Sequence, residues 1–192
     1  HANEEFTKLV DVTNVPVVTT VMGRGAVPTT HPLYIGNLGM HGAYACNMAV
    51  NECDLLFSIG TRFNDRITGK LHSFAPNAQI VHIDIDTAAI SKNVQVDVPI
   101  VADAKEAVTK MLEYVTPCET GKWLDTIEDW KAEHPLKMKK KPIMTPQDVI
   151  EAINRIFDEA IIVTDVGQHQ MFTAQFIEIT EKKKLLMSGG LG

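Results

Sequence analysis

Short uninterrupted apolar runs alternate along this chain with stretches in which apolar residues return every three or four positions. The runs are Val15–Thr20, Asp54–Ile59, Gln79–Asp84 and Val98–Ala102. A half-exposed strand alternates apolar and polar residues, whereas a strand in a helix-covered parallel sheet is apolar nearly throughout. All four are therefore predicted to be strands buried on both faces. Ala43–Glu52 has helical spacing. A second helix is expected after Asp103-Ala-Lys-Glu106, which reads as a capping box, with Val108, Met111, Leu112 and Val115 on its apolar face. Strands alternating with helices predict an α/β domain with a parallel sheet.

The rhythm breaks between residues 116 and 144. A short helix is predicted around Trp123–Ala132, followed by His134-Pro135 and the basic run Lys137–Lys141. This segment reads as a linker that packs through Trp123 and Trp130. A second unit starts at Thr145, where Thr-Pro-Gln-Asp supplies a hydroxyl cap, a proline at the first helical position and an acid in the first turn. Val149, Ile150, Ile153, Ile156 and Phe157 form its predicted buried stripe. The strand Ala160–Thr164, a helical stretch, the strand Leu185–Met187 and a glycine-rich turn at 188–192 complete it. Forty-eight residues are few for an α/β domain, so this unit is expected to be truncated.

Composition narrows the class of protein. The 192 residues are 45% hydrophobic and 22% charged, an ordinary globular mix with enough apolar material for one domain and part of another. The formal charge of −6 argues against nucleic-acid or anionic-membrane binding, which need a basic face. Three cysteines (Cys46, Cys53 and Cys118) make an odd set without a secretory leader, which favours a reducing, cytoplasmic setting over a disulfide framework. No apolar run reaches the ~20 residues that span a bilayer.

Three loops follow predicted strands, where open parallel sheets bind ligands. Gly36-Asn-Leu-Gly39-Met-His-Gly42 opens the helix at Ala43, and its glycines let backbone amides approach an anion such as a pyrophosphate; a bare tight turn is the alternative. The loop is not the usual dinucleotide fingerprint, since Gly23-Arg-Gly25-Ala-Val-Pro28 has proline where a third glycine belongs. Gly60-Thr-Arg-Phe-Asn-Asp-Arg-Ile-Thr-Gly69 carries Arg62 and Arg66, which can face one anion if the loop makes a helical turn, or pair with Asp65 on the surface. His82-Ile-Asp-Ile-Asp86 puts three polar residues on one side of a strand end, with Asp84 placed to accept from ribose hydroxyls. Cys46 and Cys53 read as core residues. His169, in Gly167-Gln-His169, can donate to a phosphate oxygen.

Taken in order, Leu38-Gly-Met-His-Gly42, the Gly60–Gly69 loop, His82-Ile-Asp-Ile-Asp86, Val166-Gly-Gln-His-Gln-Met171 and Ser188-Gly-Gly-Leu-Gly192 resemble the catalytic subunits of the acetolactate synthase (acetohydroxyacid synthase) family. These enzymes depend on thiamine diphosphate. The resemblance implies that residues 1–115 form a central, Rossmann-like, FAD- or nucleotide-binding domain, 116–144 a linker, and 145–192 the first part of the thiamine-diphosphate domain. Carried over by position, it implies that Thr20, Val21, Met22, Met40, His41, Gly42, Gly60, Arg62, Asp84, Ile85 and Asp103 border FAD, with Arg62 meeting its phosphates. Arg66, grouped with them, matches an arginine near the active-site mouth that engages a substrate carboxylate. Gly167, Gln168 and His169 match residues that contact thiamine diphosphate. The glutamate that activates the cofactor and the Asp and Asn ligands of Mg²⁺ would lie before His1 and after Gly192, leaving no catalytic or metal-binding residue here. Asn64 departs from the family's common Asp, which removes a charge beside the flavin.

The Arg62-to-Arg66 loop is typical of the FAD-containing biosynthetic enzymes and absent from the flavin-free catabolic ones. The family decarboxylates pyruvate and joins the hydroxyethyl group to pyruvate or 2-oxobutyrate, toward valine, leucine and isoleucine; the flavin is largely structural. A homodimer or homotetramer in the cytoplasm, with a regulatory small subunit, is implied, with neither nucleic acid nor membrane as a partner. The segment alone is expected to be inactive. Glyoxylate carboligase, pyruvate oxidase and oxalyl-CoA decarboxylase share a similar central domain and are the enzymatic alternatives. A non-catalytic nucleotide-binding module is the alternative of another class.

Overall fold

The computed structural model describes residues 2–140 and 142–189. The chain opens with a helix, α1 (Asn3–Thr13), that the apolar runs did not indicate; Leu9, Val10 and Thr13 are its buried face. Strand β1 (Val17–Thr19) is shorter than the run that contains it, and it pairs in parallel with β2 (Tyr34–Asn37). The second half of β2, Gly36 and Asn37, coincides with the start of the glycine loop, and four residues that include a glycine carry little strand signal. Helix α2 (Tyr44–Glu52), strand β3 (Leu55–Ile59), the short helix α3 (Asp65–Thr68) and strand β4 (Gln79–Asp84) follow. Strand β5 (Val98–Val101) then leads into α4 (Ala104–Met111). β3, β4 and β5 form a parallel sheet in that order, with Ile59 beside Ile83 and Asp84 beside Val101.

Helix α5 (Gly121–Glu133) does what its tryptophans predict. Ile127 is fully buried against Ala45 and Ala49 of α2, and Trp123 and Trp130 close over it edge to face, with centroids 5.5 Å apart. Beyond it come α6 (Pro146–Ile156), β6 (Ala160–Thr164), α7 (Gln168–Phe176) and β7 (Lys183–Met187), with β6 and β7 paired in parallel. Every paired strand is thus parallel and flanked by helices, the α/β class the alternation predicts.

Burial on both faces holds along β1 and most of β4 but not along β3 and β5. Val98 and Val101 on β5 are about half exposed, as is Leu55 on β3, and Ile161 and Val163 on β6 more so. These residues lie in sheets of two or three strands, so a continuous apolar run meets a neighbour on only part of its surface. The α6 stripe is likewise narrower than read. Ile150 and Ile153 pack with Ile177, Ile179 and Ile162, whereas Val149, Ile156 and Phe157 are exposed.

The helix starts differ in their completeness. Asp103 caps α4 alone, accepting from Lys105 N at 2.8 Å and Glu106 N at 3.2 Å; no return bond from Glu106 is seen among the described residues. α6 has the reciprocal form: Thr145 Oγ1 accepts from Asp148 N at 3.2 Å, and Asp148 Oδ2 accepts from Thr145 N at 2.7 Å. Thr145 Oγ1 also donates to Asp148 Oδ2 at 2.6 Å, and this bond, with the one from Thr145 N, holds the Asp148 carboxyl below its ordinary pKa. Thr145→Ala removes the hydroxyl half of the box and is expected to cost about 1 kcal/mol. A fall in melting temperature of about 3 °C in a thermal scan is the expected result, and no fall would show that the cap is dispensable.

Candidate functional site

The loops singled out in the sequence meet at the carboxyl ends of the parallel strands. Gly60 follows β3 and donates its N–H to Ile83 O at 2.8 Å, and Ala102 follows β5 and donates to Asp84 O at 3.2 Å. Asp84 therefore ends the middle strand, and Gly60 and Asp103 stand just past the ends of its two neighbours. The Gly39 loop joins them from β2. Met40 N donates to Arg66 O at 2.9 Å, and a Cβ on Gly39 would lie 2.5 Å from that same carbonyl. Gly39 also has φ +103°, a conformation that side chains rarely adopt. Two loops separated in the sequence are thus one surface, and glycine is required where they touch. At Gly42 a Cβ would strike the Asn37 carbonyl oxygen, so space alone excludes a side chain there.

The arginine loop resolves into two parts. Phe63 turns inward with φ +48° and packs against Ile80, Val96, Phe74 and His82. Its inward turn leaves Arg62 on the surface, with no carboxylate within 4.0 Å among the described residues, while its carbonyl accepts from Asn93. The helical turn on which a shared anion depended begins only at Asp65. Arg66 lies 3.5 Å from the Asp65 carboxylate with both side chains exposed, a contact worth little in water.

The polar strand end also divides. Asp84 Oδ1 accepts from Asp86 N at 2.9 Å, which leaves Oδ2 available at a partly buried position. Asp86 is exposed and accepts from Ala88 N, so it closes a turn rather than continuing the strand face. His82 is fully buried, neither ring nitrogen has a hydrogen-bond partner among the described residues, and Nε2 is 3.7 Å from Asp84 Oδ2. Burial lowers its pKa, against opposing contributions from Asp84 and the Thr61 backbone. Among the described residues no group of three or more His, Cys, Asp or Glu side chains is arranged to hold a metal. Cys46 is buried, with its thiol pushed up to about 12 by burial, and Cys53 is raised to about 11 for the same reason, so both are unreactive as nucleophiles.

A cavity of about 310 Å³ opens between the ends of β1 and β3. Thr20, Met22 and Gly60 line it, with Phe6 of α1 and Val108 of α4 on its apolar wall. Met22, Met40 and Ile85 are each more than half exposed at this end of the sheets. Val21 is half-buried and His41 exposed. A second cavity, of about 320 Å³, lies between β2 and the ends of α5 and α7 and holds none of the candidate residues.

The loop Asp165–Gly167 leads from β6 into α7. Gly167 has φ +153°, and a Cβ on it would press on the His169 ring at 3.0 Å. Gln168 and His169 are exposed at the helix start, where the first amide groups have no partner inside the helix. Thr164 Oγ1, at the end of β6, is buried with no hydrogen-bond partner among the described residues. Gln170 Nε2 donates to Ser188 O at 3.2 Å, and a Cβ on Gly189 would collide with Met22. Of the turn 188–192, residues 190–192 lie outside the described residues. The turn at Ser188 and Gly189 therefore touches both Gln170 of α7 and Met22 of the group carried over for flavin.

Two residues that touch both halves of the chain were missed in the sequence. Arg24 donates to Ile177 O at 2.6 Å and Asn37 to Ala174 O at 2.8 Å. A lone arginine between two glycines was the only available signal.

A model of the central domain of thiamine pyrophosphate enzymes matches residues 1–111. The whole chain is 44% identical to a protein named acetolactate synthase large subunit from Cyanidium caldarium, covering 34% of that protein. It is 44% identical over its whole length to the probable acetolactate synthase large subunit of Methanocaldococcus jannaschii, again covering 34%. Acetolactate synthase isozyme 3 large subunit of Escherichia coli is 40% identical over 99% of the chain and 35% of its own length. The chain spans about a third of the length of these relatives.

Proposed function

The chain belongs to the thiamine pyrophosphate enzyme family, and on that premise we propose that it is part of the large, catalytic subunit of an acetolactate synthase. The reaction is the decarboxylation of pyruvate and transfer of its hydroxyethyl group to pyruvate or 2-oxobutyrate. Residues 1–115 act as the flavin-binding central domain, 116–144 as the linker and 145–192 as the start of the thiamine-diphosphate domain. The observation that carries this reading is the convergence of the Gly39–Gly42 loop, the Gly60–Arg66 loop and Asp84 at one end of the sheets, bordered by Gly189.

The residues fit both organic cofactors. For thiamine diphosphate, the free amides of Gln168 and His169 at the start of α7, the glycine at 167 and the orphan Thr164 hydroxyl form an environment suited to an anion. That cofactor supplies the carbanion chemistry when bound. Gly167, Gln168 and His169 bind and orient its diphosphate. For FAD, Arg62 has no carboxylate within 4.0 Å among the described residues, and the Gly39–Gly42 turn is held against the Arg66 carbonyl with Met40 and His41 exposed on it. Asp84 Oδ2 is free to accept a ribose hydroxyl, and the cavity beside Thr20, Met22 and Gly60 offers apolar cover. Asp103 holds α4 in place beside them, and Met40, His41 and Ile85 supply surface. Arg66, exposed and only weakly paired, engages the substrate carboxylate. Mg²⁺ accompanies thiamine diphosphate, and the whole enzyme is a cytoplasmic homodimer or homotetramer with a regulatory small subunit. No helix among the described residues is long and apolar enough to cross a membrane.

A fluorescence titration with FAD, with NAD and ATP as controls, tests the flavin site. Saturable binding of FAD alone is expected, weakened at least about tenfold by Arg62→Ala, the loss of one charge-assisted phosphate contact. Equal binding of NAD or ATP would overturn the flavin assignment. Unchanged affinity in Arg62→Ala would remove Arg62 from the site.

A further inference from the structure

The end of α7 remote from Gly167 is held by residues of the other half of the chain. The last carbonyls of a helix have no partner within it. At the end of α7, Ala174 O accepts from Asn37 Nδ2 at 2.8 Å and Phe176 O from Asn154 Nδ2 at 2.9 Å, and the carbonyl of the capping residue Ile177 accepts from Arg24 Nη2 at 2.6 Å. Two of these three donors come from the β1–β2 region, 137 and 153 residues away in sequence. Gln175 adds a bond to His41 O at 2.9 Å, and Thr29 exchanges two bonds of 2.9 Å with Ile179 just beyond the helix.

Arg24 is placed for this role by its charge as well as its reach. Burial lowers its pKa, and among the described residues no carboxylate lies within 4.0 Å of it. Its other contacts are neutral, to Tyr34 Oη at 3.1 Å and Asn37 Oδ1 at 3.2 Å. A buried cation without a counter-ion is costly. Here the negative end of the α7 dipole offsets that cost, and the 2.6 Å bond is of the short, charge-assisted kind. Asn37 is fixed in turn by the Gly39–Gly42 turn, since its own carbonyl accepts from Ala43 N at 3.2 Å.

We propose that Arg24 and Asn37 are positioning residues for the diphosphate contact: by clasping the C-terminal end of α7 they set where Gly167, Gln168 and His169 present their amides. The proposal rests on reading that loop as the thiamine-diphosphate site. A nine-residue helix is a rigid rod about 14 Å long, so a shift at one end is carried to the other.

Isothermal titration of the full-length polypeptide with thiamine diphosphate in the presence of Mg²⁺ tests it directly. Arg24→Met is expected to raise the Kd about tenfold. Arg24→Lys, which keeps a cation at the helix end but not the full set of bonds, is expected to raise it less. Asn37→Ala is expected to weaken binding in the same direction. In assays the activation constant for thiamine diphosphate rises while kcat at saturation stays unchanged. A residue that only stabilises the fold would instead lower the melting temperature and leave the Kd of the folded protein alone; that outcome in Arg24→Lys and Asn37→Ala overturns the proposal, even if Arg24→Met does not fold. Absence of thiamine-diphosphate binding by the unsubstituted protein would overturn the cofactor reading itself, and the clasp's function with it.

Discussion

Gly42→Val is expected to lower the melting temperature by about 10 °C and to abolish saturable FAD binding. The reason is local and steric. A Cβ at position 42 meets the Asn37 carbonyl oxygen, with the Leu38 carbonyl carbon at 2.9 Å and the Asn37 carbonyl carbon at 3.0 Å. These are backbone atoms that cannot rotate away. They are also held in place, since Gly42 N donates to Gly39 O at 2.9 Å and Leu38 N to Thr19 O at 2.9 Å. Relieving the clash moves the whole turn, and with it the Gly39 contact to Arg66 and the Asn37 contacts to Arg24 and α7. A cost of about 3 kcal/mol is typical of such a collision, and at roughly 2–4 °C per kcal/mol for a chain of this size it gives the stated shift. Gly121→Ala is the control. Nothing lies within 4 Å of a Cβ at Gly121, the first residue of α5, so the substitution is expected to change stability by no more than about 0.5 kcal/mol. A Gly42→Val protein that melts with the wild type and still binds FAD would show that the turn tolerates a side chain.

What could be read in the sequence was what depends on neighbours along the chain. β4 lies where the run Gln79–Asp84 predicts, because an apolar run bounded by polar residues leaves little choice of limits. The cap at Thr145 was legible for the same reason, as its partner Asp148 is three residues away. α1 went unread, its apolar residues spaced among Glu4, Glu5, Lys8 and Asp11 with no capping residue before them. β2 went unread because a four-residue strand containing glycine resembles the loop that follows it. The candidate loops announced themselves through local clusters of glycine and arginine. Their contact through the Arg66 carbonyl did not, and the clasp at Arg24 depends on a carbonyl 153 residues distant. Burial was misjudged wherever it depends on how many strands stand alongside, a property of the sheet and not of the strand.

Acidification is expected to destabilise this fold through His82, beginning as the pH falls below about 6.5. In the unfolded chain the imidazole takes up its proton near that value. In the folded protein burial opposes protonation, and the pKa is lowered even though the Asp84 carboxylate at 3.7 Å and the Thr61 backbone favour the charged form. Below pH 6.5 the unfolded state therefore binds more protons than the folded state, so stability is complete above this value and declines as the pH falls toward the folded pKa. For one proton the slope approaches about 1.4 kcal/mol per pH unit within that window. His82→Leu removes the titrating group while keeping a side chain of similar size against Phe63. Denaturant unfolding at pH 7.5 and 5.5 checks the point: the wild type is expected to lose more stability between the two than the variant does. Equal losses would show that other groups set the acid limb. The same proton has a consequence at the site. An imidazolium at 82 would attract Asp84 Oδ2, the oxygen proposed to accept the ribose hydroxyl, but burial keeps the folded imidazole neutral through this window, so FAD affinity is expected to fall only below the folded pKa, at lower pH than the onset of the stability loss.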